Sequence, residues 1–117
     1  MTLLVADIGG TRARFALYEQ GRALIFREFP TVEFDGASAA TVVARVQEAL
    51  GIRDLAAICF AVAGPVIDGR ASMTNVNLSF DELEISNELG IPVAVINDLV
   101  ALGHALNADP ARAVETI

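Results

Sequence analysis

At 117 residues the chain can form one domain with its own core, and a 54% hydrophobic content with a mean hydropathy of +0.52 supplies the material. A net charge of -7, carried with arginine as the only basic residue besides one histidine, argues against a nucleic-acid partner and rules out the Gly-Lys-Ser/Thr of a Walker-A loop. One cysteine and one histidine cannot build a zinc or iron–sulfur site, no apolar run reaches the ~20 residues of a membrane span, and no signal-peptide pattern is evident, so the expected setting is a reducing cytoplasm without a membrane partner.

Residues 3–8 form a nearly continuous apolar run and predict a buried strand ending at Asp7-Ile8. Residues 13–19 predict its hairpin partner. After a turn at Gln20-Gly21-Arg22, residues 23–29 predict a third strand, which completes a meander closed by Pro30. Residues 31–37 read as a loop with Asp35-Gly36 as its turn. Ser38 is an N-cap for a helix through Leu50, whose Val42, Val43, Val46, Ala49 and Leu50 recur at helical spacing before Gly51.

Residues 55–63, with Cys59 among them as a small core residue, predict a second buried strand that stops at Gly64-Pro65. A short excursion turns at Asp68-Gly69. Ser79-Phe80-Asp81-Glu82 has capping-box spacing, with Leu78 and Leu83 as its hydrophobic staple, and predicts a helix through Leu89 that Gly90 stops. Val93–Ile96 predicts a third buried strand. Asn97-Asp98 opens a helix through about Leu106, closed by Asn107 and Pro110. The order is β-β-β-α-β-α-β-α: one α/β domain, with an antiparallel meander followed by parallel crossovers. Ligands in such sheets gather at the carboxyl ends of strands, and Asp7, Gly64-Pro65 and Asn97-Asp98 all fall there.

The chemistry concentrates in the same places. In Asp7-Ile8-Gly9-Gly10-Thr11, glycines let backbone N–H groups come close to a ligand, and a concave row of N–H groups binds phosphate. A carboxylate beside such a cradle calls for a cation between them, and Mg²⁺ held through carboxylate and water is the usual answer. The alternative is an ordinary hairpin with a Gly-Gly turn. Asp98 is either a helix N-cap or a general base taking a hydroxyl proton, with Asn97 hydrogen-bonding the same substrate, as phosphoryl transfer requires. Thr74-Asn75-Val76-Asn77 offers donors and acceptors suited to sugar hydroxyls, or is a polar loop before a helix. Gly64-Pro65 shapes a pocket wall or merely ends a strand. His104 is given no role.

Asp7-Ile8-Gly9-Gly10-Thr11-Arg12-Ala13-Arg14, Ala63-Gly64-Pro65-Val66, Met73-Thr74-Asn75-Val76-Asn77 and Val95-Ile96-Asn97-Asp98-Leu99 together resemble, in order, the bacterial glucokinases of the hexokinase/actin/Hsp70-like ATPase superfamily. Any one of these motifs is weak; together at compatible spacing they are strong. The resemblance implies the ribonuclease-H-like small domain of a two-domain kinase that transfers the γ-phosphoryl of ATP to glucose O6. Under it, Asp7 would sit at Mg²⁺, and Gly9, Gly10, Thr11 and Arg12 would bind ATP. Asn97 and Asp98 would bind the hexose, with Asp98 as the base, and Thr74, Asn75, Gly64 and Pro65 would line the sugar side.

The sequence departs from that family in two ways. Leu78 stands where family members often carry Trp, and the family's chains are much longer, with a second phosphate loop and further sugar ligands in a second domain. The expectation is therefore half of an active site: residues 1–110 as the N-terminal small domain and 111–117 as a tail or the start of a connection. The whole protein is expected to be a homodimer. The competing expectations are a non-catalytic sugar-binding or regulatory module on the same fold, and a plain structural domain.

Overall fold

The computed structural model of the protein describes residues 2–98. Within them the chain forms strands β1 (Thr2–Ile8), β2 (Arg12–Glu19) and β3 (Arg22–Pro30), a 3₁₀ turn (Thr31–Phe34), helix α1 (Ala39–Leu50), strands β4 (Ala57–Val62), β5 (Arg70–Ser72) and β6 (Ser79–Asp81), helix α2 (Glu82–Leu89) and strand β7 (Val93–Asn97). The main sheet has five strands in the order β3-β2-β1-β4-β7. The meander β1–β2–β3 is antiparallel, while β4 and β7 run parallel to β1. The mixed α/β architecture expected from the sequence is therefore the observed one, with a small hairpin β5–β6 added inside the excursion after β4.

The local reasons are legible. Gln20 and Gly21 both take positive φ (53° and 75°), the pairing a two-residue turn needs to match strand twist. The Ser38 hydroxyl accepts from the Thr41 amide, and Gly51 ends α1 in the left-handed conformation. The apolar stripe Val42, Val43, Val46 and Leu50 then packs on one face of the sheet, against Leu4, Ile8, Phe15, Leu17, Ile58 and Phe60. Among the described residues no helix is long and apolar enough to cross a membrane.

Two expectations are corrected. The capping box does not start at Ser79: residues 79–81 pair with Arg70–Ser72, and the cap is Asp81, whose carboxylate accepts from the Glu84 amide at 3.2 Å. Strand pairing won over the box because the connection 73–78, closed by the Met73 amide donating to the Leu78 carbonyl at 2.9 Å, folds residues 79–81 back onto Arg70–Ser72. The staple fails with it, since Leu78 is buried in the core and Leu83 is 70% exposed. The second correction is the stretch after Pro30, which is not all loop. Its 3₁₀ turn buries Thr31 and Phe34, and Phe34 meets Phe15 and Phe29 edge to face, with all three centroid distances between 5.7 and 6.0 Å. Phe15 sits at the middle of this cluster with no exposed surface. Phe15→Ala is expected to cost about 3–5 kcal/mol in urea unfolding; a loss below about 1 kcal/mol would mean the cluster does not hold the turn.

Candidate functional site

Register brings the predicted residues to one edge. Ile8 pairs with Val62, and Val62 with Asn97, so the carboxyl ends of β1, β4 and β7 finish side by side. Immediately beyond that row lie Gly9, Ala63-Gly64 and Asp98. Asn97 closes β7, and its side-chain Nδ2 donates to the Gly64 carbonyl, tying the β4 exit to β7. Gly64 takes φ +136°, a conformation that only glycine adopts readily.

Asp7 lies one residue inside the edge, opposite Arg14 on β2. Its carboxyl pKa is raised above the ordinary value. Burial is the main cause; the Arg14 guanidinium pulls it down and the Asp98 carboxylate pushes it up further. Asp7 and Asp98 thus share one electrostatic neighbourhood. Among the described residues no three His, Cys, Asp or Glu side chains cluster as a metal cage. One half-buried carboxylate beside a glycine turn, with a second near it, fits a different kind of cation. Mg²⁺ keeps its waters and takes one or two carboxylates plus substrate phosphates.

The turn from Gly9 to Arg12 needs its glycines for space rather than for φ, since neither Gly9 nor Gly10 has positive φ. A Cβ on Gly10 would lie 2.9 Å from the Asn75 side-chain amide, and one on Gly9 would lie 3.0 Å from the Arg12 carbonyl. The first contact joins the predicted phosphate turn to the predicted sugar loop. That loop is anchored in turn: the Asn77 amide donates to the Asp35 carboxylate at 2.6 Å, and Asn77 accepts from the Gly36 amide at 2.8 Å.

The structure thus brings Gly10 to Asn75, Gly64 to Asn97, and Asp7 to Asp98. Thr74 is exposed on the same loop as Asn75. Pro65 lies farther out and lines a hollow with Ile67, Asp68 and Arg70. The Arg12 guanidinium turns away from the turn to Glu28 on β3, which Arg14 also reaches at 3.4 Å. Hydrogen bonding from Arg12, and its charge with that of Arg14, hold the Glu28 carboxyl below its usual range.

Sequence reasoning missed two residues that shape this edge. Thr31 is fully buried; its hydroxyl donates to the Gly9 carbonyl at 2.8 Å and its amide to the Thr11 carbonyl at 2.9 Å. The Glu82 carboxylate accepts from the Val95 amide at 3.0 Å while its own amide donates to the Gly69 carbonyl at 2.9 Å, which pins β7 to the Asp68-Gly69 turn before β5. A threonine after a proline in a polar stretch carries no signal of its own, and Glu82 read as a capping-box partner. The helix expected to continue from Asp98 to Leu106, its closure at Asn107 and Pro110, His104 and the tail 111–117 lie outside the described residues.

A glucokinase family model matches residues 4–117. The chain is 37% identical over 117 residues to a glucokinase of Nostoc punctiforme, an alignment covering 92% of this chain and 33% of that protein. The crystal structure of a glucokinase from an Antarctic psychrotroph matches with a TM-score of 0.76 at 30% identity, over 89% of this chain and 34% of that one. A ROK family glucokinase from Streptomyces griseus, solved in complex with glucose and AMPPNP, shares the fold at a TM-score of 0.61 and 24% identity, over 91% of this chain and 36% of that one. The chain spans about a third of the length of the curated relatives it matches.

Proposed function

We infer that this chain, which belongs to the glucokinase family, supplies the first phosphate loop and the catalytic base for ATP-dependent phosphorylation of glucose at O6. The observation that supports this best is the meeting of Asp7 and Asp98 at one edge of the sheet, beside a glycine turn in contact with Asn75.

In this reading the Asp98 carboxylate accepts the O6 proton as the O6–Pγ bond forms and the bond from Pγ to the bridging oxygen of ADP breaks. Asn97 holds a hexose hydroxyl, and Thr74, Asn75, Gly64 and Pro65 line the sugar side. The backbone of Gly9, Gly10, Thr11 and Arg12 receives the ATP phosphates. Asp7 would hold Mg²⁺ through water; the ion, when bound, offsets phosphate charge. Positioning and charge stabilisation carry most of such a transfer, so the opposite wall matters as much as this one. We assign that wall to a second domain, with residues 1–110 as the small domain and 111–117 as a tail or the start of the connection. The whole protein would be a cytoplasmic homodimer.

The test is ADP release from Mg-ATP, with and without glucose, by a chimera in which this chain replaces the matching third of the Nostoc punctiforme glucokinase. Glucose-dependent release is expected. A chimera that melts cooperatively, binds glucose and releases no ADP would overturn the catalytic assignment in favour of a sugar-binding module.

A further inference from the structure

We propose that Thr31 is a positioning residue that turns the backbone amides of the Gly9–Arg12 turn outward to receive phosphate, an inference that rests on reading this turn as the phosphate loop. In a trans peptide the C=O and the next N–H point in opposite directions. The Thr31 hydroxyl takes the Gly9 carbonyl, so the Gly10 N–H points away from Thr31. The Thr31 amide takes the Thr11 carbonyl, so the Arg12 N–H points away as well.

The same bond opens the turn. A four-residue turn is ordinarily closed by the fourth amide donating to the first carbonyl, here Arg12 N–H to Gly9 C=O. Among the described residues that bond is not made; the Gly9 carbonyl goes to Thr31 instead, while the opposite bond, from the Gly9 amide to the Arg12 carbonyl, is made at 3.0 Å. The Gly10 and Thr11 amides donate to no other described residue, and the Arg12 amide lies on the side of its peptide opposite the Thr11 carbonyl, away from β3. Successive outward amides form the kind of concavity that binds anions.

Thr31 is fixed well enough to impose this geometry. It has no exposed surface, follows the φ-restricted Pro30 (φ -61°), and starts the 3₁₀ turn whose Phe34 is clamped by Phe15 and Phe29.

The test uses the isotopically labelled 117-residue chain and compares wild type, Thr31→Val and Thr31→Ser by amide exchange and by Mg-ATP titration. In Thr31→Val the freed Gly9 carbonyl is expected to capture the Arg12 amide, so that exchange at Arg12 slows about 2- to 10-fold, and the Mg-ATP response of Gly10 and Thr11 weakens. Thr31→Ser, which keeps the hydroxyl, is expected to behave as wild type. A purely structural threonine predicts the opposite sign: faster exchange across the sheet. That result, or an unchanged Arg12 rate, overturns the proposal. Slower Arg12 exchange with Gly10 and Thr11 insensitive to Mg-ATP in every variant overturns the phosphate-loop reading instead, and leaves Thr31 only as the group that opens the turn. If Thr31→Val does not fold, through-hydrogen-bond coupling in the wild type decides. Coupling from the Thr31 amide to the Thr11 carbonyl, and none from the Arg12 amide to the Gly9 carbonyl, is expected; the reverse overturns the proposal.

Discussion

Asp98→Ala in the chimeric glucokinase is expected to lower kcat by about 10²–10⁴-fold, the usual contribution of a positioned general base. The position explains why the effect should fall on kcat. Asp98 follows the last residue of β7, at the end of a parallel strand flanked by β4, and Asn97 beside it is already tied to Gly64. The competing role is a helix cap, for which asparagine serves as well as aspartate. Asp98→Asn separates the two. A cap keeps its stability and the enzyme its turnover; a base loses its proton acceptor and turnover stays low. Recovery in the Asn variant to within about 10-fold of wild type would falsify the base assignment. Melting curves of both variants, run beside the kinetics, show whether the loss comes from chemistry or from folding.

Much of this edge was legible because the signals were local and redundant. The Gln20-Gly21 turn, the Ser38 cap and Gly51 stop of α1, and the apolar runs of β1, β4 and β7 each follow from residues within one element. The parallel order then placed Asp7 and Asn97-Asp98 at the same end without any knowledge of contacts. What failed depended on pairings across the chain. Ser79 was lost to a strand because Arg70–Ser72, a turn away, offered backbone bonds that a capping box does not advertise. The Arg12 guanidinium went to Glu28, sixteen residues on, a partner set by the β2–β3 register. Thr31 acts on Gly9 across twenty-two residues, and nothing in Pro30-Thr31-Val32 announces it. The sequence reads Gly9 and Gly10 as places where a ligand comes close, whereas the group that a Cβ on Gly10 would meet is the Asn75 side chain, from the predicted sugar loop.

Asp7→Asn is expected to do two things of opposite sign. In the chimera it should lower kcat/KM for Mg-ATP by at least about 10²-fold, since even partners one step removed from a metal typically matter 10–100-fold. In the 117-residue chain without ligands it should raise the melting temperature at pH 7. Burial raises the Asp7 pKa above its ordinary 3.8 more than Arg14 lowers it, so the folded state holds the proton more tightly than the unfolded one. The contribution of that proton to stability is fully present below the unfolded pKa and is lost as pH rises through the folded value. At neutral pH the ionised carboxylate is therefore a cost that Asn removes, and the advantage of the variant should shrink as the pH falls toward 3.8 and below. Thermal melts of both proteins across that range measure it. A variant that melts lower than wild type at pH 7 would mean that the Arg14 interaction outweighs desolvation, and that Asp7 is a structural ion-pair partner. A carboxylate that destabilises the empty chain and is needed once Mg-ATP arrives has the opposite profile: its energy is recovered only when a cation sits between it and the phosphates.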